Sequence, residues 1–194
     1  MNTNKSLPSI YYHDPEIHEK EKRKILYRNW HYAGHESQVI KPGDYLTLQL
    51  GDESLIIIRG NDDQLKGFFN VCRHRAHKLL EGSGSVKSIT CPYHAWNYSR
   101  DGELHHARNA EKMPGFNKSE YCLSGFQVTT ICEFIFVNLD KNATSLNEQA
   151  GDFEKDLRQR VPFLDRLKPL QNDTGRPSSV NANWKVVIDN YLEC

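Results

Sequence analysis

No stretch of this chain is apolar for long enough to cross a membrane. The longest apolar runs, Leu55–Ile58 and Phe134–Val137, are the length of a strand, whereas a span takes about 18–20 residues. The opening segment Met1–Ser9 is polar and lacks the apolar core of a secretory signal, so a cytoplasmic location and no membrane partner are expected. An excess of charge is missing too: 25 Lys+Arg balance 25 Asp+Glu, which gives no electrostatic footprint for nucleic acid. There is no internal repeat. The five cysteines have no disulfide-framework spacing. Cys122, Cys132 and Cys194 are an odd remainder once Cys72 and Cys91 are set aside, and Cys122 and Cys132 read as buried small apolar residues. With 38% hydrophobic and 26% charged residues over 194 positions, the chain is globular and holds one domain comfortably.

What is present is a matched pair: Cys72-Arg73-His74 and Cys91-Pro92-Tyr93-His94, together C-x-H-x16-C-x-x-H. Two thiolates and two imidazoles in matched halves are the ligand set of a Rieske [2Fe–2S] cluster, two Cys on one iron and two His on the other. Neutral imidazole in place of anionic thiolate raises the potential to roughly −150 to +300 mV, against about −400 mV for an all-Cys plant-type cluster. Each half follows a β-like run, Phe68–Val71 and Val86–Thr90, so each Cys-to-His step is a tight loop at a strand end, with Pro92 setting the second turn. Arg73, Arg75 and Lys78 add positive charge beside the sulfur. A zinc site from the same four residues is the alternative, but zinc knuckles group their cysteines, and here each half holds one Cys and one His. His77 is read as a supporting residue and Trp96 as an apolar lid over the second loop. Neither loop carries a second Cys that could cross-brace it.

Asp14-Pro15-Glu16 is a helix start, with Asp as the N-cap and Pro in the first turn; the helix runs to about Arg28. A short strand follows at Trp30–Ala33. Strands are expected at Tyr45–Leu50, Ser54–Arg59 and Leu65–Val71, separated by Gly51-Asp52 and Gly60–Asp63. Glu81–Ser85 reads as a flexible turn. Trp96–Ser99 and Glu103–Ala107 flank a turn, and Phe126–Thr130 with Glu133–Leu139 form a last hairpin. The fold class is therefore mainly β with flanking helices, around an antiparallel β-sandwich. Ser145–Arg160 reads as one amphipathic helix through Leu146, Phe153 and Leu157. His105 and His106 are adjacent on a strand and point to opposite faces, so they do not share a metal.

Asn183–Cys194 reads as a helix with Trp184, Val187, Ile188 and Tyr191 on one face. With Asn70–Arg75, Cys91–Trp96 and this helix in view, the chain resembles the N-terminal half of the α subunit of Rieske non-haem iron oxygenases. The Cys-Pro-Tyr-His-Ala-Trp form and the Asp-Asn-Tyr-Leu-Glu-Cys ending are most similar to those acting on quaternary amines such as carnitine. Aromatic-ring dioxygenases tend to carry Gly where Ala95 stands.

The resemblance implies a division into an N-terminal helical segment of the catalytic domain (1–40), a Rieske domain (41–140), and a linker with the start of an α+β catalytic domain (141–194). It implies an oxidoreductase in which a flavin/ferredoxin-type reductase feeds the cluster, here held by Cys72, His74, Cys91 and His94. The cluster passes electrons to a mononuclear Fe(II), in the neighbouring subunit of a homotrimer, where O₂ and a small organic substrate react. By motif position Glu193 is the acid bridging His94 to that iron's ligand, and Arg75, Trp96, Asp189 and Asn190 are supporting residues. The two His and one carboxylate that hold the iron in this family lie beyond residue 194, so the 194-residue chain is expected to show no turnover alone. A stand-alone Rieske ferredoxin and an aromatic-ring-hydroxylating dioxygenase α subunit are the rival readings. A ferredoxin carrier, typically near ~100 residues, needs no Asn183–Cys194 helix.

Overall fold

In the computed structural model, residues 6–167 and 180–192 are described. The chain divides into two compact units: Tyr27–Pro169, and a smaller one formed by Met1–Leu26 with Leu170–Cys194. In chain order the elements are α1 (Ile10–His13), α2 (Pro15–Lys24), β1 (His31–His35), β2 (Asp44–Leu50), β3 (Glu53–Arg59), β4 (Leu65–Phe69) and β5 (Ser83–Ser85). Then follow β6 (Ile89–Thr90), β7 (Asn97–Tyr98), β8 (Leu104–His106), β9 (Gly125–Ile131), β10 (Phe134–Asn138), α3 (Leu146–Ala150), α4 (Phe153–Arg160) and α5 (Trp184–Leu192). The fold is mainly β and antiparallel, as expected.

The larger unit holds a seven-stranded sheet of order β1-β10-β9-β4-β3-β2-β5 and a three-stranded sheet β6-β7-β8. Strand β3 explains the arrangement. Its run Leu55–Ile58 is buried on both faces, which a strand between two cores requires. Leu55 and Ile57 join Val39, Leu46, Phe126, Ile135 and Val137 in one core. Ile56 and Ile58 point the other way, into a core shared with the small sheet through Ile89, Tyr98 and Leu104. Cys72 and Cys91 belong to this second core. Gly67 on β4 lets β9 approach: a Cβ there would lie 2.3 Å from the Phe126 ring and 2.5 Å from a Val128 methyl.

Three local expectations are corrected. Glu81–Ser85 is not only a turn: Ser83–Ser85 pairs with Asp44–Leu46 as the edge strand β5. Its side chains are all exposed, so no apolar alternation marked it. The single helix over Ser145–Arg160 is two, broken at Gly151 with φ +52. None of the residues of either is buried. Cys122 is half-buried, whereas Cys132 is buried as expected.

In the smaller unit the Asp14 side chain accepts hydrogen bonds from the Glu16 and Ile17 amides, capping α2, which ends at Lys24 rather than Arg28. Helix α5 turns polar groups toward its neighbours. Glu21 accepts from Trp184 Nε1 (3.0 Å) and Lys185 Nζ (2.6 Å), and Tyr12 donates to Asp189 (2.6 Å). Lys185 is buried, while the apolar side chains Val187, Ile188 and Tyr191 are exposed.

Candidate metal centre

The two loops that carry the motif share one backbone frame. After β4, the Cys72 amide donates to His77 O (2.8 Å) and the Ala76 amide to Cys72 O (3.0 Å). After β6, the Cys91 amide donates to Trp96 O (2.8 Å) and the Ala95 amide to Cys91 O (3.0 Å). Ala76 and Ala95 both close their loop in the left-handed region, at φ 55 and 56, a conformation that costs a non-glycine residue about 1–2 kcal/mol. The frames match, but the imidazoles do not occupy the same step: His74 lies two residues past its Cys and His94 three.

Asn70 locks the first loop. Its Oδ1 accepts from the Leu79 and Leu80 amides (3.0 and 2.9 Å), and its Nδ2 donates to Leu80 O (2.7 Å) and Ser54 Oγ (3.2 Å). The side chain is buried and fully bonded, so both ends of the loop are fixed to one residue.

The four motif side chains come together as two pairs. The His74 and His94 rings lie 4.8 Å apart between centroids. Cys72 and Cys91 are both buried and interact with one another. Burial pushes the Cys72 thiol above its ordinary range; hydrogen bonds from Tyr98 and the His74 backbone oppose this, and Cys91 adds to it. Such thiols release protons when a metal takes them as thiolates. His74 is held below the usual imidazole range by burial, then by the charges of His94 and Arg75.

One observation tests the fit of a metal group directly. His94 Nδ1 is buried with no hydrogen-bond partner, a costly state for a polar nitrogen unless it binds something. Among the described residues no three His, Cys, Asp or Glu side chains are placed to hold a single ion. A tetrahedral zinc needs four donors around one point; two separate pairs suit a two-iron cluster. The donor set fits a [2Fe–2S] group.

Two residues that the motif did not reveal complete the surroundings. Tyr98, fully buried, accepts from the Arg73 amide (3.0 Å) and has its hydroxyl 3.3 Å from Cys72 Sγ. Against a thiolate only the phenol can donate. Burial, then that hydrogen bond, push the Tyr98 phenol up. The second is Glu111, whose carboxylate accepts from the Ala107 amide (2.9 Å) and pairs with Lys118 (2.9 Å) and His106 (3.2 Å). It fastens the segment that places Phe116 and Tyr121 edge-on against Trp96.

Trp96 is 2% exposed but is no lid over the second loop. Its indole stacks on His74 of the first loop at 4.8 Å and 8°. The stack follows from the shared frame, since Trp96 O closes the second loop and its ring is free to cross over. Arg75 is exposed. His77 supplies the carbonyl that closes the first loop, and its ring lies 5.5 Å from that of Tyr93. His105 and His106 face different carboxylates, Glu103 and Glu111. Asp189 is bonded to Tyr12, Asn190 is exposed, and Glu193 lies outside the described residues.

The family model for the Rieske [2Fe-2S] domain matches residues 29–117. The carnitine monooxygenase oxygenase subunit of Acinetobacter pittii is 39% identical over 190 residues, 97% of this chain and 50% of that protein. The glycine betaine monooxygenase oxygenase subunit of Pseudomonas aeruginosa is 35% identical over 97% of this chain and 43% of its own length. A solved quaternary ammonium Rieske monooxygenase, described for carnitine oxidation by gut microbiota and inter-subunit electron transfer, superposes with TM-score 0.88. It shares 38% identity over 96% of this chain and 51% of its own. The chain thus spans about half the length of the curated relatives it matches. The paired loops and the unpartnered imidazole nitrogen of His94 lie within the segment that the Rieske [2Fe-2S] domain model matches.

Proposed function

We propose that this chain is the cluster-bearing part of the oxygenase component of a quaternary-amine monooxygenase. Cys72 and Cys91 hold one iron, and His74 and His94 hold the other. The observation that carries the cluster assignment is His94 Nδ1, buried and without a partner between the paired loops. The substrate class rests on similarity to subunits named for carnitine and glycine betaine.

The chain's own residues perform a definite task. Bound there, the cluster supplies one-electron transfer at a potential set by its imidazole ligands. Tyr98 donates a hydrogen bond to Cys72 and favours the reduced charge state. Trp96 fixes the His74 ring plane by stacking. The buried core keeps water from the sulfurs, while the imidazoles reach the surface depression lined by Tyr93 and Arg75. A reductase is the electron source, and His94 is the exit toward a carboxylate at the position of Glu193 in a second subunit of a trimer. Asp189 and Asn190 sit beside the mononuclear iron site of the complete enzyme as supporting groups. The complete enzyme consumes O₂, two electrons and two protons to hydroxylate carbon next to the quaternary nitrogen, releasing water. The hydroxyl of that carbon then loses its proton and becomes a carbonyl, and the C–N electron pair leaves with the tertiary amine. The ligand set for a mononuclear iron is not supplied by the described residues.

The test is a coupled assay of the natural polypeptide containing this sequence, with a flavin reductase, NADH and O₂. Substrate-dependent NADH use with L-carnitine or glycine betaine, with amine release, is expected. NADH use unaffected by any quaternary amine would contradict the substrate class.

A further inference from the structure

The two imidazoles are not held alike. His74 carries the Trp96 indole flat on its ring, 4.8 Å away and 8° from parallel. The ring neighbours of His94 among the described residues are His74 and Tyr93 of its own loop, and Tyr93 is 57% exposed. Trp96 is fixed in turn from outside both loops. Phe116 and Tyr121 stack on one another at 4.9 Å, and both stand edge-on to the indole, at 5.9 and 5.5 Å.

We propose that Phe116 and Tyr121 are positioning residues for the cluster, which act through Trp96 to hold the His74 imidazole in one plane. The inference rests on the cluster reading above. The local sequence of residues 107–121 is built to present these two rings. Met113-Pro114-Gly115-Phe116 makes a turn in which the Phe116 amide donates to Met113 O (3.2 Å). Gly115 takes φ +77 there, and Pro followed by Gly is the sequence that a type II turn requires. The Asn117 side chain then accepts from the Ser119 amide (3.1 Å) and starts the short 3-10 helix Lys118–Tyr121, which carries Tyr121. Lys118 closes the segment: its Nζ meets Glu111 (2.9 Å) and donates to His105 O on β8 (2.7 Å). Phe116 and Tyr121 pack against the core that holds Cys72, Cys91 and Trp96. Met113, the other large apolar side chain of the segment, is 63% exposed, so the segment builds no core of its own. Groups that orient a metal's ligands without touching the metal commonly change its retention 10–100-fold. The plane of an imidazole also sets its orbital overlap with iron, so a spread of planes broadens the EPR lines of a reduced cluster.

The experiment uses the full chain with its cluster assembled. EPR of the dithionite-reduced cluster is recorded, together with the rate of cluster loss to EDTA. Phe116→Leu/Tyr121→Leu should broaden the lines and speed cluster loss by about tenfold. Each single Leu variant should show part of both effects, so the test stands even where the double variant assembles no cluster. Tyr121→Phe keeps the ring and should match the wild type in both. Leu104→Ala lies elsewhere in the same core; it should lower the unfolding midpoint and leave the lines sharp. Wild-type lines in the single and double Leu variants would overturn the inference. So would equal broadening by Leu104→Ala, which would mean general loosening of the core. A wild-type chain without iron and sulfide would sink the cluster reading and the inference with it, whereas the other two outcomes sink the inference alone.

Discussion

At the scale of single residues, the site depends on side chains that do not touch iron as much as on those proposed to. Tyr98 accepts from the Arg73 amide, and toward a Cys72 thiolate its hydroxyl is the donor, 3.3 Å from Sγ. Hydrogen bonds to the sulfurs raise a cluster's potential. Tyr98→Phe should therefore keep the cluster but lower its midpoint by several tens of mV, read by a redox titration followed by EPR. His74→Ala and His94→Ala should lose the oxidised spectrum and the EPR signal. Asn70→Ala removes four side-chain hydrogen bonds, three that close the first loop and one to Ser54 of β3. It should cost about 2–4 kcal/mol in denaturant unfolding and release the cluster on heating before the wild type does. The motif pattern made the four donors legible from sequence. Tyr98 and Asn70 were not legible as supports, because their roles depend on partners 26 and 10 positions away.

At the scale of elements, strands with apolar alternation or a doubly buried run were legible, β2, β3, β9 and β10 to within a residue or two. The edge strand β5 was not, since Ser83-Gly84-Ser85 has no side chain to bury and is held by backbone pairing alone. The break between α3 and α4 at Gly151 was missed for the opposite reason: apolar spacing persisted across a backbone step to positive φ. The paired loops make a sharper prediction. Ala76 and Ala95 sit in the left-handed region, so Ala95→Gly should be neutral or stabilising by up to about 1 kcal/mol. Ala95→Val, branched where φ is positive, should destabilise by about 1–2 kcal/mol. Thermal unfolding of the pair, in opposite directions, checks the frame.

At the scale of the whole molecule, the two segments that make up the smaller unit meet through charged and aromatic groups. Glu21 receives Lys185 and Trp184, and Lys185 lies 5.1 Å above the Trp184 ring. Sequence periodicity showed the apolar stripe of α5 but could not show that Val187, Ile188 and Tyr191 on it are exposed and that Lys185 is buried. Burial alone would raise the Glu21 carboxyl; hydrogen bonds from Lys185 and Trp184 outweigh it, and the group is held below its ordinary range. A carboxyl lowered by folding contributes stability above its unfolded value of about 4.3 and loses it as pH falls through the folded value. Amide exchange of α5 should therefore quicken below about pH 4, and Glu21→Gln should abolish that acid dependence. Among the described residues no helix is long and apolar enough to cross a membrane.

The most direct test of the account is the iron, acid-labile sulfide and zinc content per chain of anaerobically purified protein. About two irons and two sulfides per chain and no zinc are expected, the content of one [2Fe–2S] cluster. One zinc per chain without sulfide would contradict it.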